Sequence, residues 1–524
     1  MATRPLILLL IACLWACQEN QPPDTTVLAP NYITVEGNKF VDDRGRQVIL
    51  NGVNVVNKSK EDNYLFEAGP EFYANLKAWG FNCIRFIIIW DGLEPEPGVF
   101  NEQYLVEIDK RIKWAADNGV FVVLDMHQDL FSVKYSDGAP EWATLDEEKP
   151  HQAGEVWSDA YMISEAVQTS FDNFWDNKPA ADGIGVQDHY ANLWKHIASR
   201  YRQNPAVIGY DIMNEPFPGT SALQGISQFL EAYGALVYQL TGEVLTQEQV
   251  AAAWSEDNRA AALEYLDSKA HYSQLVNAVE DFNRDFDTQR LMPMYQKVSN
   301  AIREVDTAKV IFLEHSYYSN IGVNSGIERV SLANGQPDPK VAYAPHAYDL
   351  VTDTKDAAKS ESKRVALIYQ RINQKAEELN MPVWLGEWGA YYDHDVSIVP
   401  VAQYAVSLME QYLFGNAYWS YYTGVENQQY FKQALHRPYP AYVNGELQHY
   451  HYNFESRKFS VRWTEGASKA STLIYFPNLS LLDHEYLESQ QLGVAQIDGS
   501  ESGWLIIPAK QPGERQLDFI LDGE

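Results

Sequence analysis

Ile208-Gly209-Tyr210-Asp211-Ile212-Met213-Asn214-Glu215-Pro216 is an apolar run that stops at a carboxylate and then at a proline. Proline lacks the N–H that a central strand's ladder needs, so the backbone must leave the sheet just as Glu215 is presented. A second run of this kind, Pro382-Val383-Trp384-Leu385-Gly386-Glu387-Trp388-Gly389, also ends on one glutamate. Further apolar runs at Val48 to Val56, Phe81 to Ile89, Val120 to Met126, Lys309 to Glu314, Val341 to Pro345 and Ala417 to Tyr421 bring the count to eight. Between them helical patterns cover Gln103 to Asn118, Asp188 to Tyr201, Lys359 to Glu378 and Pro400 to Phe414. A parallel sheet buries both faces, so its strands lack polar alternation. Eight such strands predict an α/β fold, a closed (β/α)8 TIM barrel, over residues 31–434, with an open doubly wound sheet as the alternative. Ile321 to Lys340 shows no helix, so one βα unit is expected to be degenerate.

Two stretches break the rhythm after strand C-termini, where barrel enzymes build their sites. Residues 130–183 are rich in aromatics, and 217–285 carry helical patterns at Gln224 to Leu240, Gln247 to Leu266 and Tyr272 to Phe282. Such long insertions shape a site or pack on the barrel. At the N-terminal end, Ile33-Thr34-Val35 and Lys39-Phe40-Val41 read as a hairpin plugging the barrel's bottom. Beyond Arg437-Pro438-Tyr439-Pro440 the pattern alternates with period two, which predicts a small antiparallel β-sandwich over 435–524.

The chain has 524 residues with 40 basic and 71 acidic side chains, a net charge of −31. That excess repels a phosphate backbone, so no nucleic-acid partner is expected. Residues 1–16 read as a signal peptide, with Arg4 before the apolar Leu6 to Ala12. Leu14-Trp15-Ala16-Cys17 resembles the lipobox of bacterial lipoproteins, which implies acylation of Cys17 after cleavage, a tether over 17–30, and an exported protein held on the cell envelope at the outer membrane. Cys83 would then be the mature chain's one unmodified thiol, without a disulfide partner.

Glycosidic cleavage needs two carboxyl groups flanking the anomeric carbon, one protonated and one ionised. Glu215 and Glu387 supply that pair once the barrel closes. Asn214 adds an amide at the same rim, and Arg85, set in an otherwise apolar strand, can hold a carboxylate ionised. His127, Asp129, His346, Tyr348 and Trp419 end neighbouring strands. Each alone is more often a satisfied core residue than a catalytic one; it is their shared rim that points to a site. Rival chemistries lack their residues. His484-Glu485-Tyr486-Leu487-Glu488 has glutamate where a zinc motif needs its second histidine, and no Walker loop or Gly-x-Ser-x-Gly elbow is present. Neither metal nor cofactor is expected.

These residues resemble glycoside hydrolase family 5, in which an acid/base follows strand four and a nucleophile strand seven; Asn214-Glu215-Pro216 and Gly386-Glu387-Trp388-Gly389 match those positions. Arg85, His127, His346, Tyr348 and Trp419 match its other recurring site residues. Leu124-Asp125-Met126-His127-Gln128-Asp129 and Arg437-Pro438-Tyr439-Pro440 are similar to endoglycoceramidases within the family. The resemblance implies a retaining hydrolase, expected as a monomer, that cuts glycan from ceramide in glycosphingolipids, with Lys58, Asp129 and Trp175 touching sugar and Trp157 as a rival for Trp175. Val443-Asn444-Gly445 departs from that pattern. A family 5 β-glucanase and a non-catalytic glycolipid binder are the alternatives.

Overall fold

The computed structural model describes residues 30–521 apart from 155, 256, 257 and 393. The expected signal peptide, Cys17 and most of the tether lie outside these residues. Among them, no helix is long and apolar enough to cross a membrane.

Eight parallel strands form the barrel: β1 (Asn51–Val55), β2 (Cys83–Ile89), β3 (Phe121–His127), β4 (Val207–Asp211), β5 (Val310–Leu313), β6 (Val341–Tyr343, resumed at His346–Ala347), β7 (Trp384–Gly389) and β8 (Gly415–Trp419). Neighbours pair in chain order from β1 to β6. Closure runs through His346–Glu387 and Tyr343–Val383 between β6 and β7, then β7 to β8 and β8 back to β1. All of β2 to β5 is buried, as continuous apolar runs predict. Pro345 interrupts β6, in keeping with its missing N–H. β5 leads into β6 through a 3₁₀ turn at Tyr317–Ile321 and an extended loop, the degenerate unit expected.

Helix Val186–Tyr201 precedes β4 and Met292–Arg303 precedes β5, the latter an element the sequence reading did not single out. The helical insertion begins with Ala222–Thr241, but the helix expected over Gln247 to Leu266 is two, Gln247–Ala253 and Arg259–Glu264. The third expected helix also divides, into Lys269–Asn277 and Glu280–Phe286. Short amphipathic segments gain their stability by packing, so a break costs little where the apolar stripe drifts.

The C-terminal region is antiparallel, with a three-stranded sheet (Gly445–Asn453, Lys458–Glu465, Gly513–Ile520) beside a seven-stranded one. The hairpin Ile33–Glu36 and Lys39–Asp42 does cover the barrel's bottom: the Phe40 ring lies 6.1 Å from that of Phe312, itself 5.3 Å from Trp384. Through Gln47–Val48 it also joins Tyr439–Val443 of the larger sheet. Residues 33–48 therefore share a sheet with the C-terminal strands across the boundary expected at residue 435.

Candidate active site

The first strand-end glutamate is placed by a backbone that leaves the sheet on hydrogen bonds to its neighbours. β4 ends at Asp211, earlier than the apolar run. The Ile212 carbonyl accepts from the Tyr190 hydroxyl at 2.6 Å and the Trp194 indole at 3.0 Å, both on the helix before β4. Asn214 N–H donates to the Met126 carbonyl at 3.1 Å, and the Gln128 amide donates to the Asn214 carbonyl at 2.8 Å. Glu215 itself has φ +42°, and its N–H donates to Glu314 Oε2 at 2.8 Å. A left-handed non-glycine residue persists only where its surroundings hold it, and here a buried carboxylate does so.

Glu387 sits on β7 between glycines that clear space for rings. A Cβ on Gly386 would lie 2.9 Å from His346 Nε2, and one on Gly389, at φ +97°, would lie 2.4 Å from the Tyr418 ring. Glu387 accepts from Arg85 Nη1 at 2.7 Å and from the Tyr348 hydroxyl at 2.8 Å. One carboxylate oxygen each of Glu215 and Glu387 and a ring nitrogen of His346 lie within 4.8 Å of one another. That is the close spacing of retaining glycosidases, well short of the 6.5–9.5 Å or so that inversion needs for a water.

Arg85 is fully buried and binds four carboxylates: Glu387, Glu314 at 2.7 Å, Asp211 at 2.9 Å and Asp125 at 3.0 Å. It also donates to Asn214 Oδ1 at 2.9 Å. Burial, then the nearby Glu314, push the Asp211 carboxyl well above its ordinary range despite Arg85. Burial opposes the charge on His346, but Glu314 and Glu387 outweigh it and raise its pKa well above the usual value. His346 Nδ1 lies 3.0 Å from Glu215 Oε1 and Nε2 lies 3.3 Å from Glu314. Glu215 is pushed up to about 7, by burial first, against the hydrogen bond and charge of His346. A neutral acid and its charged neighbour therefore coexist near neutral pH.

Both glutamates open into a cavity of about 590 Å³. Its lining includes the polar Lys58, His127, Asp129 and His151 and the apolar or aromatic Val156, Trp157, Tyr317, Ile321, Leu350 and Tyr392. Lys58 pairs with Asp129 and lies over the Trp419 ring at 4.8 Å, while Trp419 stacks on His127 with centroids 5.3 Å apart. Asp129 is held low, to about 2, because Lys58 and His127 overcome its burial. Burial and Lys58 oppose the charge on His127, yet Asp125 and Asp129 raise it to about 9.

Of the residues expected here, Lys58, His127, Asp129, Asn214, Glu215, Tyr348, Glu387 and Trp419 line the cavity, while Arg85 and His346 lie beneath it. Trp175 does not line it. Its indole donates to the Phe217 carbonyl at 2.8 Å and its ring packs against Phe174 and Phe286, because the helix Glu165–Trp175 turns that face inward. Trp157 lines the cavity and is 45% exposed. Among the described residues of the helical insertion Arg259 alone lines the cavity, so those helices contribute little to its wall. Cys83 is buried, and burial pushes its thiol up, away from reactivity.

The sequence reading missed Glu314, which ends β5 as Glu215 ends the β4 run, and Asn320, whose amide donates to Glu215 Oε1 at 2.6 Å. The first was signalled by Val310-Ile311-Phe312-Leu313-Glu314, an apolar run ending on a carboxylate. Asn320 lies in a 3₁₀ turn without periodicity, and no signal marked it.

An endoglycoceramidase of Cyanea nozakii is 30% identical over 250 residues, 41% of this chain and about half, 48%, of that relative. Endoglycoceramidase I of Rhodococcus hoagii is 24% identical over 94% of this chain and 86% of its own length. The solved structure of endo-glycoceramidase II from Rhodococcus sp. in a cellobiose-like imidazole complex superposes with a TM-score of 0.69 at 25% identity, covering 94% of this chain and 99% of that one. The model of the glycoside hydrolase family 5 C-terminal domain matches residues 437–515. The model described as cellulase (glycosyl hydrolase family 5) matches residues 41–424, and the chain, with its two carboxylates at retaining distance, belongs to glycoside hydrolase family 5.

Proposed function

We propose that the protein is a retaining endo-glycosidase that hydrolyses the bond between an oligosaccharide and ceramide. The observation that carries this is the placing of Glu215 and Glu387 in one cavity whose lining holds both polar and apolar side chains. Lys58, Asp129, His127 and Trp419 offer hydrogen bonds and an aromatic face to sugar, while Val156, Trp157, Ile321 and Leu350 offer apolar surface to an aglycone. The names of the two curated relatives support the same substrate class.

Glu387, held in place by hydrogen bonds from Arg85 and Tyr348, attacks the anomeric carbon as a carboxylate. As the glycosidic C–O bond breaks, Glu215 gives its proton to the departing aglycone oxygen, which leaves a glycosyl ester on Glu387. Glu215, now a carboxylate, takes a proton from water; the water oxygen attacks the anomeric carbon and frees Glu387. Asn214, fixed by Arg85 and by the Gln128 carbonyl at 3.1 Å, keeps an amide hydrogen for the sugar's 2-hydroxyl. A ganglioside, a simple glucosylceramide and a β-glucan are to be incubated with the enzyme in parallel. Free ceramide from the ganglioside together with an intact oligosaccharide is expected; reducing ends from β-glucan alone would assign the enzyme to polysaccharide.

Cys17 is the proposed acylation site, which would hold the enzyme on the envelope near lipid substrates. Radiolabelled palmitate should enter the full chain in a bacterial host and not its Cys17→Ser variant; equal labelling of both would discard the anchor.

A further inference from the structure

Two donors converge on one oxygen of Glu215. Asn320 Nδ2 and His346 Nδ1 approach Oε1 at 2.6 and 3.0 Å, whereas Oε2 has no hydrogen-bond partner among the described residues. The Asn320 amide is itself held from behind. His315 Nε2 lies 3.0 Å from Asn320 Oδ1, and His315 Nδ1 lies 2.8 Å from the Tyr343 hydroxyl. An amide oxygen can only accept, and the His346 carbonyl at 3.1 Å is a second acceptor beside Nε2; the two outweigh the His346 N–H, 3.2 Å away, and place the proton of His315 on Nε2. Nδ1 is then bare and accepts from Tyr343. His315 is wholly buried beside charged His346; burial first, then that charge, push its pKa down to about 3, so the ring stays neutral. With the amide reversed, Oδ1 would face Glu215 Oε1 and could accept the acid's proton, turning it inward, away from the aglycone.

We infer that Asn320, oriented by His315, is a positioning residue that keeps the Glu215 proton on Oε2, the oxygen left free for the substrate. The inference rests on the acid/base role proposed for Glu215. In the first half-reaction the Oε2–H bond breaks as the aglycone oxygen gains the proton. In the second, Oε2 recovers a proton from water, and Oε1 remains an acceptor in both. The charged and titratable groups around Glu215 are His346 on β6, Tyr348 just after it, Glu387 on β7, Glu314 at the end of β5, Asp129 after β3, Tyr161 in the helical turn Ala160–Ile163 and Tyr317 in the 3₁₀ turn. Changing Asn320 removes none of these, whereas His315 also meets the His346 backbone, so Asn320→Ala is the cleaner of the two variants.

The test uses Asn320→Ala, His315→Leu and His315→Gln in the full-length enzyme, with methyl β-lactoside and 2,4-dinitrophenyl β-lactoside as probes. Losing a hydrogen bond to the ionised form raises a carboxyl pKa, so the basic limb of kcat/KM should move up by about one pH unit in Asn320→Ala and His315→Leu. Methyl lactoside, whose departure needs the proton, should lose at least about tenfold in kcat/KM, and the dinitrophenyl compound, whose departure does not, should stay within about threefold. His315→Gln, which can still donate to Oδ1, should regain most of the activity. An unmoved limb with both substrates falling in parallel overturns the inference. Should His315→Leu not fold, Asn320→Ala carries the same test. Failure of the acid/base reading is seen separately, as a wild-type basic limb that persists in Glu215→Gln.

Discussion

Burial and its partners leave the Glu215 carboxyl half protonated at about pH 7. As an acid it works while protonated, so kcat/KM should be flat below that value and fall as pH rises through it. Glu215→Gln should lack this limb and lose about 10² to 10⁴ in rate on glycolipid, the usual worth of general acid catalysis. A pH series on both enzymes with one ganglioside checks this, and wild-type turnover by the variant would remove Glu215 from the mechanism. Much of this residue's setting was legible, because a carboxylate after an apolar run and before proline announces a strand end. Arg85 was legible too, as a charge inside an apolar strand. The number of acids it binds was not, since Asp125, Asp211 and Glu314 come from three strands and meet only through barrel closure. Asn320 escaped because an amide in a turn carries no pattern until Glu215 stands opposite it.

At the scale of elements, strands were read to within a few residues, since parallel strands buried on both faces leave an unbroken apolar signal. Insertions were read poorly. Their apolar residues signal burial but not which surface they are buried against, and Trp175 shows the consequence. It faces inward onto Phe171, Phe174 and Phe286, while exposed Trp157 holds the rim. Trp175→Phe should therefore keep the packing, lose the bond to the Phe217 carbonyl, and destabilise the fold by about 0.5–1.5 kcal/mol with KM unchanged. Trp157→Ala should do the reverse, raising KM for glycolipid with little effect on Tm. Thermal unfolding and steady-state kinetics on the two variants separate the roles, and a raised KM in Trp175→Phe would return that ring to the sugar site.

Across the whole molecule, the barrel's bottom and the C-terminal strands form one apolar cluster in which Phe40, Phe312 and Trp384 pack with Tyr439, Trp463 and Tyr475. The sheet that joins them begins with residues 33–48 and continues at Tyr439–Val443, so chain segments almost 400 residues apart are neighbours. Sequence patterns could mark the hairpin and the later strands separately, but not their pairing, because period-two alternation carries no address. Buried bonds fasten the same seam: Arg437 to Glu410 at 2.9 Å, and the Tyr439 and Tyr475 hydroxyls to the Gly80 and Ala78 carbonyls at 2.8 and 2.6 Å. A chain ending at residue 436 would leave the hairpin's edge unpaired, the barrel's bottom wet and Glu410 without its buried cation. The last loss alone costs about 3–5 kcal/mol, a large part of what a domain has to spare. Such a chain should be insoluble or rapidly proteolysed even though all eight barrel strands and both glutamates remain, and the full chain should unfold in one calorimetric transition. A soluble truncated barrel with an intact near-ultraviolet circular dichroism spectrum, or two separate transitions in the whole enzyme, would show instead that the C-terminal strands are an appended module.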